Sequence, residues 1–189
     1  DIGHGLGTSV ALVIVKNRTS TSDWWTWHWN MASGVSYIGL NTTNVDNTVN
    51  SPWGGIFNST VFRTTNNSIN NANANSNNYV AYCFTPIAGY SAVGKYTGNG
   101  STDGPFVYLG FRPKLVIFKD NTNAHGWLMV DSSRNTYNVA GDYVWANSSN
   151  QEDSPYSVAN NTAVDFLSNG FKLRNAAVNS GRSEEHTSE

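Results

Sequence analysis

Short apolar runs separated by polar turns set the pattern of this chain. Residues 10–15 form an apolar run rich in branched side chains, with polar residues on both sides. A turn-like segment at 19–23 follows, and residues 24–29 return from it as the second strand of a hairpin. No stretch of about ten residues shows the 3.6-residue period of an amphipathic helix. The pattern therefore predicts an all-β fold.

The remaining predicted strands are short and lie roughly 8–15 residues apart. They cover residues 37–40, 55–57, 61–63, 79–84, 92–96, 106–109, 114–119, 127–131, 143–145, 164–167 and 171–173. Such spacing, with turn residues between the strands, is typical of β-sandwiches and barrels. We therefore expect β-sandwich-like units. The Asn-rich segment 66–78 is predicted to be a mobile loop that is too polar to pack.

One pattern occurs twice in the chain. Residues 12–16 (LVIVK) return as 115–119 (LVIFK), and the same offset of 103 places Trp24 on Trp127. A second match, at an offset of 109, pairs residues 57–62 with 166–171. This period exceeds the ~20–50 residues of a solenoid repeat and equals the size of a small domain. The sequence predicts two tandem units of about 100 residues each, 1–87 and 88–181.

The repeat also draws attention to both ends of the chain. A copy of strand 79–84 is expected near residue 188, where the polar segment 182–189 stands instead. This segment resembles the translation of a sequencing-library adapter, so we interpret it as non-native and exclude it from the fold. On this interpretation the chain is a metagenomic fragment. Its first unit lacks its start and its second unit lacks its last strand. The alternative is a native, solvated polar tail.

The composition describes a neutral surface that forms many hydrogen bonds. Only 13% of the residues are charged, whereas Asn alone occurs 27 times. Without 182–189, ten basic residues balance ten acidic ones. A nucleic-acid partner is not expected, because such binding needs a basic field. No apolar run reaches the ~18 residues of a membrane span, so membrane insertion is not expected either.

The titratable residues form no recognisable catalytic or metal-binding pattern. Cys83 alternates with aromatic neighbours in a predicted strand, which favours a buried structural thiol. Asp131 and Asp165 could supply the carboxylate pair of a glycosidase, but nothing singles them out. The histidines lack metal-ligand spacing and are predicted to be polar surface residues: His4, His28 and His125. We therefore predict no enzyme activity, no metal and no cofactor.

Two local motifs invite a functional interpretation. Trp25, Trp27 and Trp29 share one face of a predicted strand, either as a sugar-stacking platform or as part of the core. The second copy has Leu128 and Val130 at the positions of Trp25 and Trp27. Since aliphatic side chains do not stack on sugars, the core is favoured. The GHGLG string at 3–7 precedes a strand, whereas a dinucleotide loop follows one, so it is predicted to be a turn.

Several longer strings carry a family resemblance. They are GHGLG at 3–7, KYTGNGSTDGPFV at 95–107 and DFLSNGFKLR at 165–174. Together they resemble an uncharacterised tandem β-repeat domain of marine bacteriophage tail and virion structural proteins, often found downstream of a concanavalin A-like (LamG) domain. The resemblance covers nearly all of 1–181. It implies a place in the phage particle, other virion or tail subunits as partners, and a homo-oligomeric assembly. It offers no catalytic residue to carry over.

Two functional hypotheses follow. The first is a non-enzymatic structural protein of the bacteriophage virion or tail that displays host-binding loops. The alternative is a carbohydrate-binding, lectin-like module of a phage or an extracellular microbial protein. It would use aromatic residues that are expected to be exposed against a host-surface glycan: Trp53, Tyr143 and Trp145. A depolymerase is disfavoured because carboxylates are scarce.

Overall fold

A computed structural model describes residues 1–66, 69, 71–152 and 164–175, together with the backbone of 184–188. Its strands are β1 Ile2–Gly3, β2 Leu12–Asn17, β3 Trp24–His28, β4 Ile38–Gly39, β5 Trp53–Phe57, β6 Val61–Thr64 and β7 Tyr79–Phe84. They continue as β8 Ala92–Tyr96, β9 Phe106–Tyr108, β10 Leu115–Asp120, β11 Trp127–Asp131, β12 Tyr143–Trp145, β13 Val164–Leu167, β14 Gly170–Leu173 and β15 Glu184–Ser188. The described part of the chain contains no helix, so the predicted all-β class is confirmed.

The chain divides into two units, Asp1–Thr85 and Pro86–Glu189. The first unit consists of two antiparallel sheets with strand orders β4-β3-β2-β7 and β1-β6-β5. Two glycines of the GHGLG string follow β1 with positive φ, 69° at Gly5 and 72° at Gly7. Glycine adopts this conformation without the steric cost that a side chain would impose. The predicted turn is therefore confirmed.

Aromatic side chains fill the core of the first unit. Trp25 and Trp27 lie opposite Val15 and Val13 across the β2–β3 pair, and all four side chains are buried. Trp27 stacks on Phe57 of the second sheet, with ring centroids 3.5 Å apart. The predicted core face is confirmed for Trp25 and Trp27, because alternation places both on the face that packs. It is wrong for Trp29, which lies beyond the end of β3 and is 44% exposed.

The second unit repeats both sheets. Its strand orders are β12-β11-β10-β15-β8 and β13-β14-β9. Phe171 lies opposite Phe166 as Phe62 lies opposite Phe57. The offset of 103 relates the β2–β3 hairpin to β10–β11, and the offset of 109 relates β5–β6 to β13–β14. The two sequence matches therefore belong to different sheets.

The second unit differs from the expectation at its last strand. The backbone of β15 lies between β10 and β8 and pairs antiparallel with both. Val116 faces Ser188 there as Val13 faces Cys83 in the first unit, so β15 occupies the position of β7. The expectation of a missing strand is wrong in the structure. Backbone N–H and C=O groups form the ladder, so a polar segment can complete it. The adapter origin of 182–189 stays a prediction.

The repeated core predicts equal sensitivity at Phe62 and Phe171, which are both fully buried. Replacing either with Ala removes a ring and leaves a cavity, so each change should cost about 3–5 kcal/mol of stability. Each loss should appear in the unfolding transition of the unit that carries the variant. Urea denaturation and amide exchange measure this transition. Tyr137→Ala, at an exposed position, is the control. An unchanged transition for either Phe variant would contradict the assignment of a repeated core.

Candidate functional site

A polar cleft of about 380 Å³ lies beside the β2–β3 turn of the first unit. Neutral hydroxyl and amide side chains dominate its lining, with one carboxylate, one indole and two aliphatic side chains. The lining residues are Asn17, Ser20, Thr21, Ser22, Asp23, Trp25, Ile69, Asn71, Ala74 and Asn77. This cleft is the candidate functional site.

Asn17 fixes the turn that forms one wall of the cleft. Its Oδ1 accepts hydrogen bonds from the backbone N–H groups of Thr19 and Ser20, at 2.8 and 3.1 Å. Its Nδ2 donates to the Ser20 hydroxyl at 2.9 Å and to the Tyr79 hydroxyl at 3.2 Å. Asn17 is buried, and its amide is committed on both sides. It therefore shapes the cleft and leaves ligand contacts to its neighbours.

The Asn-rich segment supplies the opposite wall. Asn77 Nδ2 donates to Ser20 Oγ at 3.0 Å, and the Asn78 N–H donates to Thr19 Oγ1 at 2.8 Å. Ala72 is buried. The prediction that this segment is too polar to pack is thus wrong for 71–78, because hydrogen bonds to the Thr19 and Ser20 hydroxyls hold it on the turn. The other predicted loop positions Asn67, Ser68 and Asn70 lie outside the described residues.

Asn41 holds the strand that leaves the turn. Its Oδ1 accepts the Trp24 N–H at 2.8 Å, and its Nδ2 donates to Asp23 Oδ1 at 2.9 Å. The carboxylate of the lining is therefore already engaged by an amide. The second unit repeats the first of these bonds, since the Trp127 N–H donates to Asn147 Oδ1 at 2.7 Å.

Trp25 supplies the aromatic part of the lining. Its ring packs edge to face on Tyr37, with centroids 5.4 Å apart. The buried indole Nε1 has no hydrogen-bond partner among the described residues. A buried donor left unpaired costs about 1–3 kcal/mol. An acceptor that reached this nitrogen would therefore gain a favourable contact.

The lining suits an uncharged ligand rich in hydroxyl groups. Amides and hydroxyls both donate and accept hydrogen bonds, and an indole adds apolar area. The described lining holds one carboxylate, whereas glycoside hydrolysis by the usual route needs two that face each other. The arrangement therefore fits binding.

Asp120 takes the place of Asn17 in the second unit. Its Oδ1 accepts from the backbone N–H groups of Thr122 and Asn123, at 2.8 and 3.0 Å, and Oδ2 accepts from the Asn123 side chain at 2.8 Å. His125 Nδ1 lies 3.1 Å from Oδ2. Burial alone would raise the pKa of Asp120, but the bonds from Asn123 and Thr122 outweigh it and hold that pKa below its ordinary value.

None of the three predicted ligand-binding aromatics lines this cleft. Trp53 is only 1% exposed, and its ring packs edge to face on Phe57 and Phe62. Tyr143 is 9% exposed and packs edge to face on Trp145, which is half-buried beside the second core. The expectation that Trp53 and Tyr143 are exposed is wrong. Large aromatic surfaces are strongly driven into the core.

His28 also differs from its prediction as a surface residue. It is 2% exposed, and its Nδ1 lies 3.1 Å from the backbone N–H of Asn30, which donates to it. His28 is the last residue of β3, and the turn that follows contacts its side chain through the backbone of Asn30. By contrast, His4 is only partly buried and bonds the Asn58 carbonyl at 3.0 Å. His125 is half-exposed.

Cys83 and the two candidate glycosidase carboxylates, Asp131 and Asp165, have structural surroundings. Burial raises the pKa of the Cys83 thiol, which disfavours the reactive thiolate. Burial alone would raise the pKa of Asp131, but hydrogen bonds from Arg134 and Ser133 lower it overall. Asp165 is buried and pairs with Arg174 at 2.6 Å. Asp131 and Asp165 are therefore each paired with an arginine.

Sequence reasoning missed the cleft, although a signal for its turn was present. Asn17-Arg18-Thr19 and Asp120-Asn121-Thr122 stand at the offset of 103. An Asn or Asp two residues before Thr is typical of a turn capped by its own side chain. The second wall comes from a segment more than forty residues further along the chain, and local pattern carries no information on that approach.

Comparisons with known proteins leave the activity open. A family model described as a domain of unknown function (DUF7483) matches residues 1–186 in one span across both units. No curated protein and no solved structure matches the chain. Among the described residues, no cluster of three His, Cys, Asp or Glu side chains could hold a metal ion. Within the same part of the chain, no helix that is long and apolar enough to cross a membrane is found.

The lowered pKa of Asp120 predicts a pH-dependent stability of the second unit. The ionised carboxylate stabilises the fold above the unfolded pKa of about 3.9, and this contribution is lost as pH falls through the folded pKa. Asp120→Asn should therefore flatten the fall in melting temperature between about pH 5 and 2. Calorimetry across this range measures it.

The reciprocal variant Asn17→Asp is the matched comparison, because it places a titratable group in the equivalent turn. Its first unit should acquire the acid sensitivity that the second unit loses in Asp120→Asn. An identical pH profile for Asp120→Asn and the unmodified chain would show that this carboxylate is not a source of the dependence.

Proposed function

We propose that this chain, which belongs to the DUF7483 family of unknown function, is a non-enzymatic structural protein of a bacteriophage virion, associated with the tail. The observation that carries this proposal is that the two units share structural features. They repeat the sheets, the central pair of phenylalanines and the Asn or Asp at the hairpin turn. All of these features build a scaffold.

The candidate chemistry is not repeated. Leu128 and Val130 replace Trp25 and Trp27, and Asp131 replaces His28. A rigid β unit used twice provides length and several display sites without a reaction. The strings at 3–7, 95–107 and 165–174 support the phage assignment through their resemblance to virion proteins. On this proposal the partners are other virion or tail subunits, and further copies of the chain.

Particle proteomics tests the virion assignment. Cleavage after Lys119 and Arg134 yields the tryptic peptide 120–134. In the environment from which the sequence comes, this peptide should copurify with density-banded virus particles and with peptides of tail proteins. Nuclease treatment of the particles should not remove it. Recovery only from the soluble secreted fraction would contradict the proposal.

A second candidate function is glycan binding by the first unit. The polar cleft favours it, because hydroxyl and amide side chains line it together with one indole. Such a site would let a virion protein recognise a host-surface glycan, or let a secreted module do the same. Trp53 is not part of this proposal, since it belongs to the core.

A glycan array tests the cleft with a closely matched pair of variants. Thr21→Val removes a hydroxyl from the lining while it keeps the side-chain shape, and should weaken binding about three- to tenfold. Thr136→Val makes the same change at an exposed position of the second unit and should bind normally. Equal loss in both variants, or no glycan bound by the unmodified chain, would count against the cleft.

A further inference from the structure

Strand β7 presents an unusually open edge. It pairs with β2, and no other described strand pairs with it. Its six residues, Tyr79–Phe84, contain neither charge nor proline. Tyr82 is 45% exposed and Phe84 is 38% exposed. Natural sheets normally protect such edges with charges, prolines or bulges, because an unpaired edge accepts further strands.

The hydrogen-bond phase of β7 identifies its outward groups. The Arg18 N–H donates to the Asn78 carbonyl at 2.8 Å, which extends the β2–β7 ladder by one pair. Antiparallel residues alternate between bonding their partner and facing away from it. The backbone N–H and C=O groups of Tyr79, Ala81 and Cys83 therefore point to the open side of β7.

The second unit shows which strand covers the equivalent edge. There β15 occupies the position of β7, and β8 pairs along its other side. Gly94 of β8 faces His186, and Val93 faces Thr187. His186 and Thr187 correspond by register to Ala81 and Tyr82 of β7. A strand added to β7 in the same register would therefore place its equivalents of Gly94 and Val93 opposite Ala81 and Tyr82. The repeat thus supplies both the occupant and its alignment.

We propose that the open edge of β7 binds, as an added antiparallel strand, an extended peptide segment with the side-chain pattern of β8 (AVGKY). The backbone ladder would supply affinity, and alternate side chains would supply selectivity. In β8 the side chains of Val93 and Tyr96 are buried, and the first of them would cover the exposed Tyr82. This inference does not depend on the virion role or on the glycan cleft.

A synthetic peptide of residues 90–98 tests the proposal on the full chain. With the peptide at ten times its Kd, amide exchange at Ala81 and Cys83 should slow about tenfold. Two N-methylated peptides, blocked at alternate residues, provide the control. Only the peptide blocked on the side that faces β7 should lose the effect. Equal protection by both would show apolar adsorption and overturn the proposal.

Ala81→Pro tests the same edge from the protein side. It removes an outward N–H while the bonds of Val80 and Tyr82 to β2 stay intact. The variant should keep its melting temperature within a few degrees and lose peptide protection, whereas Ala81→Val should keep both. Absence of protection at millimolar peptide in the unmodified chain would refute the proposal. So would β7 protection that rises with protein concentration alone, since the occupant would then be a second copy.

Discussion

Each unit depends on the burial of one face of its central hairpin, which is β2–β3 in the first unit and β10–β11 in the second. Val13, Val15, Trp25 and Trp27 all point to that face, and the second sheet packs its aromatic residues against it. Because side chains alternate along a strand, a slip of one residue would expose this whole set. The register is therefore fixed by packing, and the turn must fit the register. That requirement explains why a buried Asn or Asp stands at each hairpin turn.

The sequence contained enough information for the class and for the repeat. Alternation of apolar and polar residues identified the hairpins, and the substitution of Trp25 by Leu128 identified the packed face. It did not contain enough information to predict the burial of Trp53 and Tyr143. Both stand at the ends of short strands, where alternation extends over too few residues. The burial of His28 was not predicted either, because His28 is the last residue of β3 and the turn beyond it contacts its side chain.

The candidate site was harder to predict than the core. The cleft lies between a turn near residue 20 and a loop near residue 75, and the Asn77 side chain and the Asn78 backbone of the loop donate hydrogen bonds to hydroxyls of the turn. Because Asn is so frequent in this chain, the sequence alone does not distinguish an Asn that hydrogen-bonds the backbone from one that faces solvent. Asn17 and Asn77 acquire their roles only from the groups that they meet.

The unequal offsets of the repeat separate the fold from the length of its connections. The β2–β3 hairpin recurs after 103 residues, β4 recurs after 106 and β5–β6 recurs after 109. Six residues have thus entered the connections on either side of β4, three in each, without altering the order of the sheets. The entropic cost of loop closure grows slowly with length, so such insertions cost little. These two connections are permissive positions, where a foreign peptide or an affinity tag could be carried without disturbing either sheet.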